Sequence, residues 1–455
     1  MKSWSRRDLL KSMGMAALGA TIPTGFTYAE KNYQPPIKNN IKPDKPVTAI
    51  TLGAGNRGNV YGDYAINYSE HLNIIGVAEP IPIREERYAK KHNINKKNRF
   101  VTWEHVFERK KFADAIIITT PDDLHYGPAM QALELGYDLL LEKPIAQTWK
   151  ECSDIFNLAE SKDAIVAVCH VLRYSPYYQK IKEVLDSGEL GELVSVNHFE
   201  PIQHVHMAHS FVRGNWGVEA KSNPAILAKS CHDLDMLRWW INRKCMHLNS
   251  YGSLKWFKKE NAPEGSTARC TDGCAIEKDC PYSAKRIYYD KQSWLHHFDL
   301  PEDRKEWPEV IMKNINEGPY GRCVYQCDND VVDHQVMSML FEDEVTATFS
   351  MEAFTSYHGR KSRIMSAMGD IVGDGNEMTI VNFKTEEVTK WNVKEHAKIT
   401  SGHGGGDWGI AGDFVQAVAK KNPNLLTSNL KASMDSHQMA FAAEESRKTL
   451  KSIRL

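Results

Sequence analysis

The sequence has no long run of charge of one sign. It carries 57 Lys and Arg residues against 58 Asp and Glu residues in 455 residues, a formal net charge of -1. A balanced charge gives little attraction to a polyanion, so nucleic acid is not an expected partner. With 42% apolar residues the chain can bury a sizeable core, and its length indicates two domains.

The N-terminus lacks an unbroken apolar run of about 18 residues, the length that a membrane-spanning helix needs. It does contain Arg6 and Arg7 in the stretch SRRDLLK, then a short apolar segment and small residues near Ala29. This pattern is typical of a twin-arginine signal peptide over residues 1–29, followed by a Pro- and Asn-rich linker over residues 30–45. We therefore expect an exported or periplasmic protein whose mature form has no stable membrane span.

Cysteine is absent before Cys152, which argues against a lipoprotein anchor. Later cysteines cluster in residues 262–328, which we interpret as an insertion. Four of them form a C-x3-C-x5-C set with a distant fourth: Cys270, Cys274, Cys280 and Cys323. Thiols in such a set can bind a structural zinc ion or a cluster, form disulfides or stay free, and the C-x2-C spacing of common zinc ribbons is missing. The sequence leaves these alternatives open.

A glycine-rich turn lies between a β-branched strand pattern and a helix pattern in VTAITLGAGNRGNVYGDYA. Its residues are Gly53, Gly55, Asn56, Arg57 and Gly58. Glycines in this context allow a tight turn, close approach of the backbone to a pyrophosphate, and close packing of helix on strand. The turn therefore predicts a dinucleotide cofactor with its phosphates at the helix N-terminus.

An acidic residue ends the next predicted strand, in LNIIGVAEP. Glu79 lies 21 residues after Gly58, where a carboxylate can accept hydrogen bonds from both ribose hydroxyls. A 2'-phosphate would be repelled by this carboxylate, so the sequence favours NAD over NADP. Arg84 lies nearby and keeps NADP as an alternative.

Strand and helix patterns alternate through residues 46–169, as in FADAIIITT, HYGPAMQALELG and YDLLLEKP. Continuous apolar strands separated by helices predict a doubly wound parallel sheet of the Rossmann type, an α/β domain. Ligands of such sheets bind beyond the carboxyl ends of the strands. The predicted strand ends carry candidate cofactor-binding residues: Thr120, Pro121, Asp122, His125, Glu142 and Lys143.

Three motifs in this order, GAGNRG, TTPDDLH and LLEKPIA, resemble the Gfo/Idh/MocA family of nicotinamide-dependent sugar oxidoreductases. The resemblance implies that Lys143 lies beside the nicotinamide and the substrate. It also implies that Arg173 and Tyr174 lie near the cofactor, where the chain enters a second domain. Arg173 is then a candidate for cofactor binding, and Tyr174 is a further catalytic candidate.

Residues 170–400 carry strands with strong apolar and polar alternation and a hairpin turn at Glu342–Glu344. This pattern predicts an α+β domain with a mostly antiparallel sheet, covered by helices on one face and open on the other. The family resemblance implies that the open face serves substrate binding or assembly, so we expect a homo-oligomer. Residues 401–455 are expected to add a loop and helices that pack on the body.

The stretch LAKSCHDLDMLRWW places a histidine in the first turn of a predicted helix. It resembles the family motif D-x-G-x-H-x-x-D in its second half, at His232 and Asp235, which implies that His232 exchanges a proton with the substrate hydroxyl. The family's Asp falls on Ala228, so Lys229 and Asp233 are candidates to replace it. The alternative interpretation is that these polar residues only cap a helix.

The stretch QHVHMAHSFVRGNW follows a predicted strand, and a later glycine loop reads GHGGGD. The two segments supply candidates for a sugar-binding rim: His206, His209, Arg213, Trp216 and His403. His204 and His206 would point the same way in an extended chain, which leaves a metal pair as an alternative. GHGGGD resembles a loop of the NAD-dependent glycosidases that share the family's fold.

These features predict an NAD(P)-dependent oxidoreductase that transfers hydride between a hydroxyl carbon of a sugar or glycoside and the nicotinamide. One alternative is a glycosidase that uses bound NAD for transient oxidation and elimination, without net redox change. The other is a sugar-binding protein without catalytic activity.

Overall fold

The computed structural model describes residues 43–397 and 401–455. The predicted signal peptide and most of the predicted linker lie outside the described residues. Within those two ranges, no helix has both the length and the apolar character needed to cross a membrane.

The first domain is built on a six-stranded sheet whose strands are all parallel. Its strands are β1 (Val47–Leu52), β2 (Leu72–Ala78), β3 (Arg99–Phe100), β4 (Ala115–Ile118), β5 (Asp138–Leu141) and β6 (Val166–Val168). The spatial order β3-β2-β1-β4-β5-β6 is that of a Rossmann fold and confirms the predicted doubly wound sheet. The central strand β4 is buried along its whole length because helices cover both faces, which explains its unbroken apolar sequence.

Helices of the first domain connect these strands. They are α1 (Asn56–Asn67), α2 (Pro82–Lys91), α3 (Glu104–Phe107), α4 (Tyr126–Glu134) and α5 (Trp149–Ser161). Strands β1 and β4 are neighbours in space but not in sequence, so a crevice opens beyond their carboxyl ends. The glycine turn between β1 and α1 lies at this crevice.

The second domain contains a nine-stranded sheet. Its strands are β7 (Leu193–Pro201), β8 (Cys245–Ser253), β9 (His334–Phe341), β10 (Thr346–Glu352), β11 (Lys361–Ser366), β12 (Gly369–Gly373), β13 (Glu377–Asn382), β14 (Glu387–Asn392) and β15 (Ile453–Arg454). The order is β14-β13-β12-β11-β7-β10-β9-β8-β15, and every neighbouring pair is antiparallel except β10 with β7. Residues of β9 alternate between buried and exposed because one face packs on the core and the other is open. The predicted mostly antiparallel open sheet is confirmed.

The remaining helices pack on this sheet or join it to the first domain. They are α6 (Pro176–Ser187), α7 (His204–His206), α8 (Ala225–Ala228), α9 (Cys231–Ile241), α10 (Trp307–Glu317), α11 (Val393–His396), α12 (Gly406–Lys420) and α13 (Leu430–Thr449). Helix α12 packs against α1, and α13 contacts α5 as well as α9 and β8. Helix α13 therefore joins the two domains, whereas α12 packs on the first.

The segment that follows β7 is helical. Helix α7 continues directly into a π-helical turn at Met207–Arg213. The extended chain predicted for His204 and His206 is therefore wrong, because residues two apart on a helix do not share a face. Packing decides the conformation of this segment against the extended chain that the sequence predicted, since every residue of the π-helical turn is buried.

Candidate active site

The glycine turn is shaped for a dinucleotide. Gly53 has φ +88°, and a Cβ there would lie 2.7 Å from the carbonyl oxygen of Thr119. A Cβ on Gly58 would lie 2.2 Å from the oxygen of Gly53, whereas Gly55 faces open space. Helix α1 begins at Asn56 without a side-chain cap and without an acidic residue in its first turn. Its free N–H groups can therefore receive a pyrophosphate, and the residues present fit the predicted cofactor.

Glu79 lies directly after β2, and its carboxylate reaches back to the glycine turn. It accepts a hydrogen bond from the Ala54 N–H over 2.7 Å and one from the Ile81 N–H over 3.0 Å. The carboxylate is buried, so the negative charge is fixed at the position where a ribose is expected.

Arg57 joins three segments that are far apart in sequence. Its guanidinium lies 2.6 Å from Glu142 of the E-K-P turn and 2.9 Å from Asp407 of the GHGGGD loop. It also donates to the hydroxyl of Tyr61, which in turn donates to Glu142. Arg57, predicted to bind the cofactor, is paired with the E-K-P turn in this structure, and Asn56 beside it is exposed at the start of α1.

The turn TTPDDLH makes hydrogen bonds to the E-K-P turn and to the second domain. The Nδ1 atom of His125 lies 2.7 Å from the carbonyl oxygen of Pro144 in the E-K-P turn. Its Nε2 atom lies 3.0 Å from the carbonyl oxygen of Thr120, which precedes Pro121 in the TTPDDLH turn. Asp122 accepts from Trp216 Nε1 and from Asn223 Nδ2, each over 3.2 Å. Asp122 and Trp216 were predicted to bind cofactor and sugar, respectively, but they bind each other across the domain boundary.

Lys143 lies where the two domains meet. It follows β5, and its Nζ donates to the carbonyl oxygen of Ala228 over 2.7 Å. Ala228 ends α8, and His232 follows four residues later in the first turn of α9. The structure therefore brings Lys143 and His232, predicted from separate motifs, to one place.

His232 is buried, and its Nδ1 has no hydrogen-bond partner within the described residues. Its ring centroid lies 5.9 Å from that of His170 and 6.0 Å from that of His403. Burial, followed by the charge of Lys143, holds the pKa of His232 well below its usual value. The position near the N-terminus of α9 favours the same neutral form. His232 is therefore a neutral imidazole that can accept a proton at ordinary pH.

His170 and His437 continue this row of rings into the core. Their ring centroids are 5.7 Å apart, and both side chains are fully buried. His437 accepts from the Ile145 N–H over 2.9 Å, while its Nδ1 lies 2.8 Å from the oxygen of Ser433, so its partners fix a neutral tautomer. Burial lowers the pKa of His170 to about 4 and that of His437 to about 3.

Neither candidate for the missing Asp contacts His232. Asp233 accepts from Arg360 over 2.6 Å and lies 2.9 Å from His198 Nε2. Although its burial has the opposite effect, Arg360 and His198 together hold the pKa of Asp233 well below its usual range. Lys229 lies 3.2 Å from Glu200, and burial lowers its pKa. Both residues were predicted as catalytic. In the structure they belong to a buried group of ion pairs that also contains Arg360 and Glu200, the latter a residue of β7.

Arg173 and Tyr174 also have structural partners. Arg173 makes two 2.7 Å hydrogen bonds to Asp235 and donates to the oxygen of Thr427. The Tyr174 hydroxyl accepts from the Ser428 N–H over 3.0 Å, in the core beneath the crevice. Arg173 is thus paired with Asp235 of α9, and both Arg173 and Tyr174 also bond to the chain that follows α12.

Of the residues predicted for the sugar rim, only His403 joins the catalytic candidates. Its Nδ1 lies 3.0 Å from Asp407. His206 stacks on Trp294 at 4.6 Å between ring centroids. Arg213 is buried and donates to the oxygens of Arg322 and Tyr282, over 2.7 Å each. His209 is fully buried within an aromatic group of the insertion.

Four of the five cysteines of the insertion line one cavity, together with Arg213 and other residues: Cys270, Cys274, Cys280 and Cys323. A β-bridge between Arg269 and Arg322 brings the first and the last of them together. All nine cysteines of the chain, each of them in a described range, are free thiols. No three of the four sulfurs come within 4.8 Å of one another in the part of the chain that the structure describes. Zinc binding here stays a prediction.

Several side chains of the site were not predicted. They are His170, His437, Asp407, Arg360, Glu200 and His198. His170 lies two residues after the apolar strand β6, a position at the carboxyl edge that could have marked it. Asp407 ends the GHGGGD loop, which was noted for His403 alone; the other four come from segments far apart in sequence, and no local pattern distinguishes them from core residues.

Comparison with known proteins identifies the first domain. Residues 48–170 match the model of the Gfo/Idh/MocA group, described as an oxidoreductase family with an NAD-binding Rossmann fold. YteT of Bacillus subtilis (strain 168), which carries the name of an oxidoreductase, is 23% identical over 307 residues, 65% of this chain and 70% of its own. The chain is an oxidoreductase whose first domain matches the Gfo/Idh/MocA family model.

Relatives of this oxidoreductase include dehydrogenases of cyclic polyols. The NAD+-dependent scyllo-inositol 2-dehydrogenase of Bacillus subtilis (strain 168) is 24% identical over 211 residues, 46% of this chain and 58% of its own. Among solved structures, scyllo-inositol dehydrogenase from Lactobacillus casei with bound NAD(H) and scyllo-inositol has a TM-score of 0.61 at 15% identity, covering 90% of this chain and 99% of its own. At that identity the likeness shows the fold alone, and it extends through both domains.

Proposed function

We propose that the protein is an NAD-dependent dehydrogenase that oxidises a hydroxyl-bearing carbon of a small polyhydroxylated substrate such as a sugar, a glycoside or a cyclic polyol. The observation that carries the proposal is the contact of Lys143 Nζ with Ala228 O, which places Lys143 and His232 at the carboxyl edge of the first sheet. Ligands of such sheets bind at this edge.

The two side chains have complementary roles. Lys143 offers a positive charge to the substrate oxygen as that oxygen loses its proton. His232, kept neutral by burial and by Lys143, takes the proton as a general base. NAD+ held at the glycine turn would accept the hydride. The ion pairs of Arg57 with Glu142 and Asp407 hold the turn that carries Lys143 in position.

The preference for NAD is part of the proposal. Glu79 supports it because the buried carboxylate lies next to the Ala54 N–H at the end of β2. A second phosphate on the ribose would meet this charge, and the nearby Arg84 is already paired with Asp299 over 2.6 Å.

A glycosidase that uses NAD without net turnover is the second candidate. It is favoured by His403, which the GHGGGD loop brings within 6.0 Å of His232, ring to ring. A second imidazole beside the first gives the site an acid and a base, which elimination of a glycosidic group needs.

One experiment separates these functions. The purified protein is denatured to identify any released dinucleotide, then incubated with a panel of glycosides, sugars and inositols in deuterated water. NADH formed in step with product supports the dehydrogenase. Glycoside cleavage with deuterium on the carbon next to the anomeric centre, and no lasting NADH, supports the glycosidase. Sugar binding without turnover in any member of the panel would overturn both and leave a binding protein.

Export and self-assembly complete the proposal. The twin-arginine pattern supports export, and replacing both Arg6 and Arg7 with Lys is expected to keep the protein in the cytoplasm in cell fractionation. The open sheet face carries the exposed apolar side chains Val336 and Leu340, which support assembly into a homo-oligomer through this face. Light scattering of Leu340→Glu against wild type tests the assembly.

A further inference from the structure

Three histidines from two distant segments converge in the insertion. His209 lies in the π-helical turn Met207–Arg213, and His296 and His297 lie in a short 3-10 turn at Leu295–His297. One ring nitrogen of each histidine lies within 4.8 Å of those of the other two. Among the described residues, no other group of three or more His, Cys, Asp or Glu side chains brings its ligand atoms so close together. Neither the catalytic candidates nor the four cysteines belong to the histidine group.

The His209 ring is held in place on all sides. It stacks on Tyr320 with ring centroids 4.7 Å apart and an interplanar angle of 10°, and on Trp294 at 4.9 Å. Its Nδ1 lies 2.9 Å from the hydroxyl of Tyr288. In the tautomer whose Nδ1–H donates to that hydroxyl, Nε2 has a free lone pair. A metal-binding histidine has this arrangement, with one nitrogen bound to a supporting oxygen and the other free for the metal.

The free Nε2 of His209 needs a partner. The side chain is fully buried, and Nε2 has no hydrogen-bond partner within the described residues. An unsatisfied buried polar atom is unfavourable, so a ligand at this point would remove a cost that the fold otherwise carries. The other two imidazoles are the groups placed to share that ligand.

We propose that His209, His296 and His297 bind a divalent transition-metal ion of the zinc type. Imidazole nitrogens suit zinc and its neighbours, whereas calcium and magnesium prefer oxygen ligands. Asp299, an acidic side chain close to His297, makes two hydrogen bonds with Arg84. Three histidines leave a fourth coordination position for water or a substrate oxygen, unlike a closed structural site.

The position of the metal gives it a defined effect on the fold. Trp294, which stacks on His209, also lines a cavity of about 330 Å³ together with Arg286, Lys291 and His358. The segment that carries Trp294, His296 and His297 is anchored to α2 by the Arg84–Asp299 pair. Metal binding therefore fixes one wall of this cavity and links the insertion to both domains.

Cobalt titration of the metal-free full chain tests the site. Co²⁺ bound to imidazole and water absorbs in the visible range but lacks the sulfur-to-cobalt charge-transfer absorption of thiolate sites, so the histidine and cysteine groups are distinguished. We expect wild type to bind one Co²⁺ without thiolate absorption and to exchange it for Zn²⁺. The variant H296A should lose this site, with affinity reduced more than the roughly 10–100-fold that loss of a supporting partner costs.

Three controls make the test decisive. His247 is exposed on β8 and away from the group, so H247A should bind like wild type. The variant Y288F removes the oxygen that supports His209 and should weaken binding about 10–100-fold. His296 is exposed, so metal-free H296A should unfold at the temperature of metal-free wild type. Equal cobalt affinity and spectra in wild type and H296A, or a spectrum of thiolate type only, would overturn the proposal.

Discussion

The ammonium of Lys143 donates to the main-chain oxygen of Ala228 over 2.7 Å, and this contact joins the two domains at the candidate active site. In the family motif the position of Ala228 is an Asp. Here the lysine meets a neutral carbonyl instead of a carboxylate, so its positive charge is not cancelled by its neighbour. His232 lies four residues after Ala228, and the charge of Lys143 adds to the effect of burial in lowering its pKa.

Replacing Lys143 with Met should lower turnover about 10²–10³-fold, the range that loss of one group stabilising a developing oxyanion costs. Cofactor affinity should change by only a few fold, because the glycine turn is untouched. Steady-state kinetics with the best substrate of the panel and NADH fluorescence titration measure the two effects. Lys150→Met is the matched control, since Lys150 is exposed and paired only with Asp154. Normal turnover in Lys143→Met would refute the assignment.

Restoring the family residue with Ala228→Asp should move the acid limb of kcat/KM to higher pH. A carboxylate near His232 stabilises the imidazolium form and raises its pKa, so the imidazole becomes protonated, and inactive as a base, at a higher pH. In wild type the limb should lie well below the usual histidine pKa, because burial and Lys143 depress it. The pH profile of both proteins decides this, and an unchanged acid limb would show that His232 is not the titrating base.

Replacing Glu79 with Ala should relax the choice between NAD and NADP. Removal of the buried carboxylate takes away the repulsion of a 2'-phosphate, so we expect NADP to gain at least about tenfold in relative affinity, or about 1.4 kcal/mol. Fluorescence titration with both reduced cofactors gives the ratio. Glu70→Ala, at an exposed position before β2, serves as the control. A ratio that stays constant would place the ribose elsewhere.

Asp233 should behave as a structural residue. Arg360→Met leaves its buried charge without its main partner and should lower the free energy of unfolding by about 3–5 kcal/mol in urea titration. Turnover per folded molecule should survive in the double variant Asp233→Leu with Arg360→Met, which removes both charges. Complete loss of turnover in a folded double variant would return Asp233 to the catalytic candidates.

Acid should destabilise the protein through its buried histidines. The pKa of His170 is about 4 and that of His437 about 3 in the fold, because burial disfavours the charged ring. The unfolded chain therefore binds more protons, so stability is full above about pH 6.5 and falls as the pH drops toward 4, by about 1.4 kcal/mol per pH unit for each ring. Unfolding titrations between pH 7 and 5 measure the slope. The amide of His437→Asn can accept from Ile145 N–H and donate to Ser433 O. This variant should reduce the slope by about 1.4 kcal/mol per pH unit, the contribution of one ring, and an identical slope would contradict this.

The sequence predicted those parts of the site that repeat a local pattern. The glycine turn, Glu79 and Lys143 follow predicted strands, and parallel strands bring their carboxyl ends to one edge, so their proximity could be inferred without coordinates. His232 was found because its motif is contiguous. Lys229 and Asp233 were predicted because they lie beside His232 in the sequence, whereas the structure pairs Lys229 with Glu200 and Asp233 with Arg360.

The sequence alone therefore determined the fold class, and it predicted the cofactor edge and the two side chains that we propose for the reaction. These depend on periodicity and on short motifs, which the chain carries locally. The tertiary structure decided which charged residues are already paired, which histidines share a neutral row, and that His209 meets His296 and His297. Such contacts join residues many positions apart, and the direction of each side chain is set by the packing of the whole core rather than by its neighbours in the chain.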